Sequence, residues 1–397
     1  MRIVIINNLY PPYQVGGAEK SVSLLAEALS RSGDDVSVIT LHPEKEEQTS
    51  VINGVRVYRL PMENNYWPFT ADRPVAPVRL LWHINDMWNR RAASKVRKIL
   101  EIEKPDVVHT NNLAGFSVAV WNEAKRLKIR LVHTMRDYYL LCSKSTIFNR
   151  NKLCRKTCVA CKILTCNRRE QSELLDAVVA NSQYVLDAHV SRGYFANTQK
   201  AVIFNIIEPI RVAQERNESD PCMVFGYMGR LEPAKGIEVL LKATKRITKS
   251  NWRLKIAGSG TKNYVEALQK SYSGSEIEWL GFVKPSEFYP AIDVGIVPSA
   301  WPEPLPRTAI NTLAAGRGLI CSDAGGSPDV ARMGKKVNIY PSQDAGALAR
   351  IMDSAIEDAQ AWRAGGWLNA DSEEEFSEET IVRKYHAVYE GKQELVR

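Results

Sequence analysis

The chain has 397 residues, of which 45% are hydrophobic and 25% are charged. This is the composition of a soluble globular protein, and the length predicts two domains of about 150–200 residues each. No apolar run reaches the ~18 residues that a membrane-spanning helix needs, and Met1 leads directly into a strand with no signal-peptide cleavage site. These features argue against an integral membrane protein and predict a cytoplasmic location.

The first half begins with a β-loop-α-β unit. An apolar strand over Arg2–Asn8 runs into a loop with Gly16 and Gly17, and helical spacing follows over Ser21–Ser30 before a second strand at Val36–Leu41. Paired glycines before a helix let backbone N–H groups approach an anionic group closely. An ordinary flexible turn is the alternative interpretation of this short motif.

Further apolar strands are predicted at Asp106–Thr110, Arg130–Thr134, Asp176–Ala180 and Ala201–Asn205. Polar side chains that lie at or just after the end of such a strand are well placed to line a crevice. The sequence offers four of them as candidates: His109, Asn111, Arg136 and Asp137. The aromatic segment 64–88 is either a lid or acceptor groove, or a helix that buries its tryptophans.

Five of the seven cysteines fall between Cys142 and Cys166. Since disulfides are disfavoured in the cytoplasm, a tetrahedral Zn²⁺ or Fe–S site is one interpretation and free thiols are the other. The C-x3-C-x2-C run supplies three ligands, with Cys142 or Cys166 as the fourth. The candidate ligand set is Cys154, Cys158, Cys161 and Cys166.

The net charge of +8 is concentrated in the first half, because residues 1–205 hold 29 Lys and Arg against 19 Asp and Glu. Residues 136–169 contain nine basic side chains and one acid, Asp137. Such a segment is a solvated basic face, or a surface that meets anionic lipid or a phosphate-bearing substrate. Nucleic acid is the less favoured partner for this layout.

The second half restarts after a polar linker over Asn205–Asn217. A strand at Cys222–Tyr227 leads into GRLEPAKG and then a predicted helix, Ile237–Lys249. Arg230 and Lys235 flank this loop at the carboxyl end of a strand and beside a helix N-terminus. Two fixed cations and helix N–H groups form a diphosphate clamp, whereas two ordinary surface cations are the alternative.

The stretch from residue 293 to residue 321 predicts one turn of an open parallel sheet. A strand at Asp293–Val297 is followed by a Pro-rich loop with one acid, Glu303, then a helix at Arg307–Ala315 and a strand at Gly318–Cys321. Ligands of such sheets bind at the carboxyl ends of the strands, where Glu303 is expected. The remaining predicted elements are Arg253–Ala257, Glu278–Val283, Lys336–Tyr340, Ala345–Asp358 and Glu378–Glu390.

These motifs together resemble a GT-B glycosyltransferase of the large retaining family 4 type over nearly the whole chain. PPYQVGGAEK is similar to the glycine loop of the family, GRLEPAKG to its phosphate motif, and GSG and LGFV to later turns. PSAWPEPLPRTAINTLAAGRGLICSDAGG resembles the E-x7-E region. HTMRDYYLLC resembles a segment of a subgroup whose members carry extra cysteines downstream.

The resemblance implies roles for individual residues. Arg230 and Lys235 would hold the nucleotide diphosphate and stabilise the leaving group, and Glu303 would contact the sugar hydroxyls. The other implied donor-binding positions are Gly16, Gly17, Gly229, Gly281, Phe282, Val283, Leu305, Pro306 and Asn311. Family members retain anomeric configuration and usually need no metal, so the resemblance implies a nucleoside diphosphate sugar as donor and no catalytic cofactor.

Three positions depart from the family pattern. The second glutamate of E-x7-E is Asn311, so a charge-assisted hydrogen bond to the ribose worth roughly 1–2 kcal/mol is lost. The histidine of the H-D-Y-W segment is Arg136, and the hinge near Glu208 lacks its glycine. These departures leave a catalytically silent homologue, acting as a binding or scaffold protein, as the alternative function.

The implied fold is α/β, a GT-B arrangement of two doubly wound Rossmann-like domains that face each other across a donor/acceptor cleft. The predicted divisions are an acceptor-binding domain at 1–207 with a Cys-rich basic insert at 142–166, a nucleotide-sugar domain at 218–372, and a C-terminal segment at 373–397 that packs towards the N-terminal domain. The implied function is sugar transfer to a glycan or lipid-linked acceptor in cell-surface polysaccharide biosynthesis, with peripheral attachment at the inner face of the membrane.

Overall fold

The computed structural model describes residues 1–14, 16–70, 74–149, 151–208, 210 and 222–392. The chain divides into two compact units. The first unit comprises Met1–Ile147, Cys154–Ile206 and Ser377–Arg397, and the second comprises Phe148–Leu153 and Ile207–Phe376. Residues 209 and 211–217 of the predicted linker, and the predicted start of the second domain at 218, lie outside the described residues.

The first unit contains an eight-stranded sheet. Its strands are β1 (Arg2–Ile6), β2 (Asp35–His42), β3 (Gln48–Ile52), β4 (Val55–Pro61), β5 (Val107–Thr110), β6 (Arg130–Met135), β9 (Ala177–Ala180) and β10 (Gln199–Val202). The intervening strands β7 (Phe148–Asn149) and β8 (Lys152–Leu153) form a separate hairpin that belongs to the second unit. The order in the sheet is β10-β9-β6-β5-β1-β2-β4-β3, parallel except for β3. Its central strands are buried on both faces, which explains their continuous apolar sequence.

The hairpin of β3 and β4 was missed by sequence reasoning, although its turn carries a strong local signal. Asn53 and Gly54 connect the two strands and both have positive φ, +47° and +85°. An Asn-Gly pair with this geometry forms the tight turn whose twist matches paired antiparallel strands. The alternation in β3 is polar and exposed because β3 lies at the edge of the sheet.

The second unit contains a six-stranded, fully parallel sheet. Its strands are β11 (Met223–Met228), β12 (Trp252–Ala257), β13 (Ile277–Gly281), β14 (Val294–Val297), β15 (Gly318–Ser322) and β16 (Val337–Tyr340). The order β13-β12-β11-β14-β15-β16 reverses direction between β11 and β14. This is the doubly wound arrangement in which a crevice opens at the carboxyl ends of the strands beside the reversal.

Helices cover the sheets. They are α1 (Gly17–Arg31), α2 (Ala76–Met87), α3 (Arg90–Glu103), α4 (Ala119–Arg126), α5 (Val159–Leu164), α6 (Arg168–Gln171), α7 (Gln183–Val190), α8 (Ile237–Thr244), α9 (Lys262–Ser271), α10 (Pro285–Phe288), α11 (Arg307–Ala314), α12 (Ser327–Ala331), α13 (Ala345–Glu357), α14 (Ala359–Arg363), α15 (Ala370–Glu374) and α16 (Glu378–Glu390). In the described part of the chain, no helix is both long and apolar enough to cross a membrane.

Helix α8 is shorter than the predicted helix over Ile237–Lys249. The amides of Thr248 and Lys249 donate to the carboxylate of Asp353 on α13, at 3.0 and 3.2 Å. These bonds satisfy the backbone outside a helical turn, so a contact with a distant helix overrides the local helical pattern.

Each unit has its own core. In the first unit α16 packs against α1, and Ile381 and Tyr385 join Val22 and Leu25 in one buried cluster. In the second unit the cluster lies between the sheet and its helices and includes Leu240, Ile256, Ile296 and Met352. The C-terminal helix therefore completes the core of the first unit, although it follows the second unit in sequence.

A buried ion pair connects α2 to α6. Arg168 Nη2 lies 3.1 Å from Asp86 Oδ2, and both side chains are 1% exposed. The guanidinium also lies over the Tyr139 ring, 3.7 Å from its centroid. Asp86 also accepts from the Gly115 amide at 2.7 Å. Burial raises the pKa of Asp86 to about 6, although the positive charge of Arg168 opposes this shift.

We expect Arg168→Met to destabilise the first unit by about 3–5 kcal/mol, because Asp86 would remain buried without a counter-charge. Urea unfolding followed by circular dichroism would measure the change. The matched control is Arg169→Met at the adjacent exposed residue, for which we expect less than about 0.5 kcal/mol. Equal losses in the two variants would show that the ion pair does not matter.

Candidate functional site

The reversal point of the second sheet brings two loops together. One loop follows β11 over residues 229–236, and the other follows β14 over residues 298–306. Gly236 has φ +74°, and a Cβ atom at this position would lie 1.7 Å from the Pro298 carbonyl oxygen. The amides of Ala300 and Trp301 both donate to the Ala234 carbonyl, at 2.9 and 3.1 Å. The two loops are thus joined backbone to backbone, which only glycine at 236 permits.

This junction fixes a cation against a carboxylate. Lys235 Nζ lies 2.8 Å from Glu303 Oε2, and the two side chains are 18% and 11% exposed. The Ser299 hydroxyl donates to Glu303 Oε1, and the Trp301 ring centroid lies 5.4 Å from Lys235 Nζ. The backbone of Glu303 is held as well, because its carbonyl accepts from the Gly326 amide at 2.7 Å. Both charged groups therefore have fixed positions before any ligand binds.

Arg230 lies in the same loop as Lys235 but has a different environment. Its carbonyl accepts from the Tyr227 hydroxyl at 2.8 Å, whereas its side chain is 60% exposed and pairs with Glu232 at 3.0 Å. A surface pair of this kind contributes only about 0–1 kcal/mol. Its backbone is therefore anchored, while its guanidinium can exchange partners at small cost.

The other predicted donor positions lie in neighbouring loops of the second unit. Gly258 has φ +143°, a Cβ there would lie 1.8 Å from the Gly229 oxygen, and its amide donates to the Gly281 carbonyl at 2.7 Å. These contacts connect the loops after β11, β12 and β13. Phe282 is 84% exposed, and Val283 is half-buried.

Two donor positions lie at the start of α11. Leu305 is buried, and Pro306 is the residue that precedes the first turn of the helix. Further along α11 Asn311 is half-buried. One turn before it, the Thr308 carbonyl accepts a hydrogen bond from the Tyr289 hydroxyl at 3.3 Å, and burial raises the pKa of Tyr289. The residue that departs from the family pattern therefore lies in the part of α11 that Tyr289 anchors.

In the first unit Gly16 precedes α1 and Gly17 is its first residue. Both are exposed. The Gly16 amide donates to Glu19 Oε2 at 2.9 Å, and Glu19 is 7% exposed. A carboxylate of the same helix thus occupies the amide that the sequence assigns to phosphate binding, so a phosphate would have to displace it.

The carboxyl edge of the first sheet is rich in buried amides. Asn111 follows β5, and its Oδ1 accepts from Arg136 Nε at 2.7 Å. The other side of the Arg136 guanidinium donates to Asn205 Oδ1. Arg136 is 6% exposed, so two asparagine oxygens hold a buried cation at this edge. Asp137 accepts from the Tyr139 amide at 2.8 Å, and burial raises the pKa of Asp137 to about 7.

Several buried amide atoms at this edge have no hydrogen-bond partner among the described residues. They are Asn8 Oδ1, Asn111 Nδ2, Asn112 Oδ1 and Asn181 Oδ1. Leaving such a group unpaired costs about 1–3 kcal/mol, so water or a ligand is expected to satisfy it. Sequence reasoning missed Asn8, Asn181 and Asn205. Their common signal is an asparagine shortly after a parallel strand.

His109 does not line the crevice that the sequence predicted for it. It is fully buried, its Nε2 lies 2.7 Å from Thr134 Oγ1, and its Nδ1 lies 2.8 Å from the Tyr389 hydroxyl. Burial lowers the pKa of His109 well below its usual value, so the ring is neutral. The prediction was wrong because the side chain points to the face of the sheet that α16 covers, not to the edge.

The structure does not bring the four predicted metal ligands together. Cys142, Cys154, Cys158 and Cys161 line one small cavity, with Cys142 and Cys161 sulfurs 3.8 Å apart, whereas Cys166 is exposed and lies outside it. Within the described ranges, no group of three or more His, Cys, Asp or Glu side chains is arranged to hold a metal ion. Linear spacing did not reveal that Cys166 lies past the end of α5, while Cys161 points inward.

Family models match nearly the whole chain. Residues 15–211 match the model described as Glycosyltransferase Family 4, and residues 208–366 match the one described as Glycosyl transferases group 1. An uncharacterized 42.6 kDa protein in the cps region of Klebsiella pneumoniae is 29% identical over 391 residues, which cover 98% of this chain and all of that protein. An uncharacterized glycosyltransferase of Methanocaldococcus jannaschii is 27% identical over the full length of both chains.

Solved structures show the same fold. Sucrose-phosphate synthase from Thermosynechococcus elongatus superposes with a TM-score of 0.74 at 19% identity over 98% of each chain. Anabaena HepE, in complex with UDP and glucose, gives a TM-score of 0.70 at 20% identity over 98% of this chain and 100% of that chain. Identities this low establish shared architecture rather than shared substrates.

Proposed function

This chain belongs to the GT-B glycosyltransferases of family 4, and from this premise we propose that it transfers a sugar, with retention of configuration, from a nucleoside diphosphate sugar to a growing glycan or lipid-linked acceptor. The Klebsiella relative in a cps region supports a role in polysaccharide biosynthesis, and the UDP complex of HepE supports a nucleotide-bound donor. The observation on which the proposal rests is the pair of Lys235 and Glu303 at the reversal point of the second sheet.

The donor diphosphate binds beside Lys235 in this proposal. Arg230 then releases Glu232 and turns to the same phosphates, because its surface pair is weak and its backbone is fixed. The close approach of glycine backbones at 229 and 258 keeps these loops in place. Two cations so placed stabilise the negative charge that develops on the departing diphosphate.

Glu303 faces the transferred sugar and accepts hydrogen bonds from its hydroxyls. Because Ser299 and Lys235 fix both carboxylate oxygens, this acceptor needs little reorganisation when the sugar arrives. The departing phosphate oxygen accepts the proton of the attacking hydroxyl on the same face of the sugar, as the family resemblance implies. The protein then contributes positioning and charge stabilisation rather than a covalent nucleophile.

The acceptor binds at the carboxyl edge of the first sheet in this proposal. Sugar hydroxyls both donate and accept hydrogen bonds, and they complement amide groups such as Asn111 and Asn112 that are otherwise unpaired within the described residues. Arg136 adds a fixed cation that an acidic or phosphorylated acceptor would meet. Asp137, with a pKa near 7, lies beside it in sequence.

A donor panel tests this function. Calorimetric titration with UDP, GDP, ADP and their sugars should reveal selective binding by one nucleotide, followed by sugar transfer to the cognate acceptor. We expect Asn311→Glu to tighten nucleotide binding by about tenfold, because a carboxylate restores the charge-assisted bond to the ribose. Asn311→Gln has the length of glutamate without its charge and should show no gain.

Two results would contradict the proposal. One is the absence of binding by any nucleotide at millimolar concentration in the wild type together with no gain in Asn311→Glu. The other is nucleotide binding that never leads to sugar transfer in any variant with any sugar. Thermal unfolding of each variant separates these results from loss of the fold, since Asn311 is half-buried on α11.

A further inference from the structure

Helix α2 exposes apolar side chains on the face that a surface helix usually fills with polar residues. Leu80, Leu81 and Ile84 are 52%, 55% and 48% exposed, while Trp82 and Asp86 on the opposite side are buried. The spacing of 80 and 84 places these two side chains on one stripe of the helix. The apolar stripe that usually faces the core therefore faces outward.

The adjacent helix α5 repeats this arrangement. α5 packs against α2 within the first unit. Val159 and Ile163 are also four residues apart and are 73% and 59% exposed, while Cys161 and Leu164 point inward. Two neighbouring helices thus expose one apolar stripe each. We call this surface the two-helix patch: Leu80, Leu81, Ile84, Val159 and Ile163.

The surroundings of the two-helix patch are basic. Exposed cations lie in the segment before α5 and on the helix itself, at Lys144, Arg155, Lys156 and Lys162. Residues 138–169 contain no Asp or Glu, and the one acid in residues 74–89 is Asp86, which is buried against Arg168. Burial and then the charges of Arg168, Lys144 and Arg79 lower the pKa of His83 on α2, which places these cations near that helix.

We propose that the two-helix patch docks the protein on an anionic phospholipid bilayer. Apolar side chains enter the boundary between head groups and acyl chains, and the surrounding lysines and arginines contact lipid phosphates. An acidic protein partner would match the cations but would not need exposed apolar stripes on two helices, whereas a bilayer matches both features at once. This inference goes beyond sugar transfer, and it would bring the acceptor edge of the first unit to lipid-linked substrates.

Vesicle flotation tests the docking surface without donor or acceptor. The wild type should float with vesicles that contain about one third phosphatidylglycerol and should stay unbound with phosphatidylcholine alone, and salt should weaken the binding. We expect at least a tenfold loss for Ile84→Glu combined with Ile163→Glu. A similar loss should follow Lys156→Glu combined with Lys162→Glu, which leaves the apolar side chains in place.

Matched controls lie on α3 of the same unit. Ile102 is 71% exposed, so Ile102→Glu makes the same isoleucine-to-glutamate change outside the patch. Lys98 is also exposed, so Lys98→Glu makes the same charge reversal outside the patch. Both controls should bind vesicles like the wild type. Nucleotide titration of every variant should be unchanged, which separates a failure of this inference from a failure of the transfer proposal.

Four outcomes would overturn the inference. The first three are that the wild type fails to float with either vesicle, that the patch variants float as well as the wild type, and that Ile102→Glu loses binding equally. If the wild type instead forms a dimer by light scattering and the patch variants are monomers, the patch is an interface between two copies of this chain.

Discussion

Replacing Lys235 with methionine is expected to lower kcat/KM for the donor by about 10²–10³-fold and to weaken binding of the free nucleoside diphosphate. The substitution removes the cation that lies against the diphosphate in our proposal, a loss of roughly 2.7–4 kcal/mol for a preorganised charge in a sheltered site. It also leaves Glu303, with a side chain that is 11% exposed, without its counter-charge at 2.8 Å. The negative charge of Glu303 would then repel the diphosphate.

Two further variants make this measurement specific. Lys242→Met changes an exposed lysine on α8, 58% exposed and 3.9 Å from Glu238, and should leave kcat/KM within about twofold. Lys235→Arg keeps the positive charge but replaces the ammonium group with a larger, planar guanidinium. Compared with Lys235→Met, it should restore nucleotide affinity more fully than it restores kcat. An unchanged nucleotide affinity in Lys235→Met would remove Lys235 from the donor clamp.

Replacing Glu303 with glutamine is expected to impair transfer without weakening nucleotide binding. Transfer should fall by about 10²–10³-fold, because the carboxylate that accepts hydrogen bonds from the sugar loses its charge. Binding of the free nucleoside diphosphate should stay the same or tighten, because Lys235 no longer shares its charge with a carboxylate. Paired calorimetry and steady-state kinetics would measure both effects.

The matched control for Glu303→Gln is Glu232→Gln. Glu232 pairs with exposed Arg230 at 3.0 Å, so its loss should change transfer by less than about threefold. If Glu303→Gln abolished nucleotide binding as completely as Lys235→Met, Glu303 would have a structural role at the loop junction rather than a role towards the sugar. The two substitutions therefore distinguish the diphosphate position from the sugar position.

Local sequence was informative wherever a short motif determines local geometry. Apolar runs marked most strands within about two residues, because a parallel strand covered on both faces needs continuous apolar side chains. The strand predicted just before Arg230 and Lys235 also located these two residues correctly in the loop after β11. The positions assigned to the donor and acceptor stay predictions until ligand binding is measured, as does a cytoplasmic location.

Errors arose where the answer depends on distant parts of the chain. His109 looked like a crevice residue because it ends an apolar strand, but its partner Tyr389 lies 280 residues later in the sequence. Cys166 was chosen as the fourth ligand because it is near the other cysteines in sequence, yet the alternative, Cys142, lines their cavity.

The sequence by itself determined the two parallel α/β units and the glycine-containing loops at their strand ends, because strand, turn and helix patterns depend on neighbouring residues. The tertiary structure decided which side chains meet at those ends. Lys235 reaches Glu303 only because β11 and β14 lie side by side at the reversal of strand order. It also decided which faces are covered, since α16 buries His109 while α2 and α5 remain open. Which strands lie side by side, and which helix faces are covered, depends on packing between segments that are distant in sequence, and no local pattern specifies it.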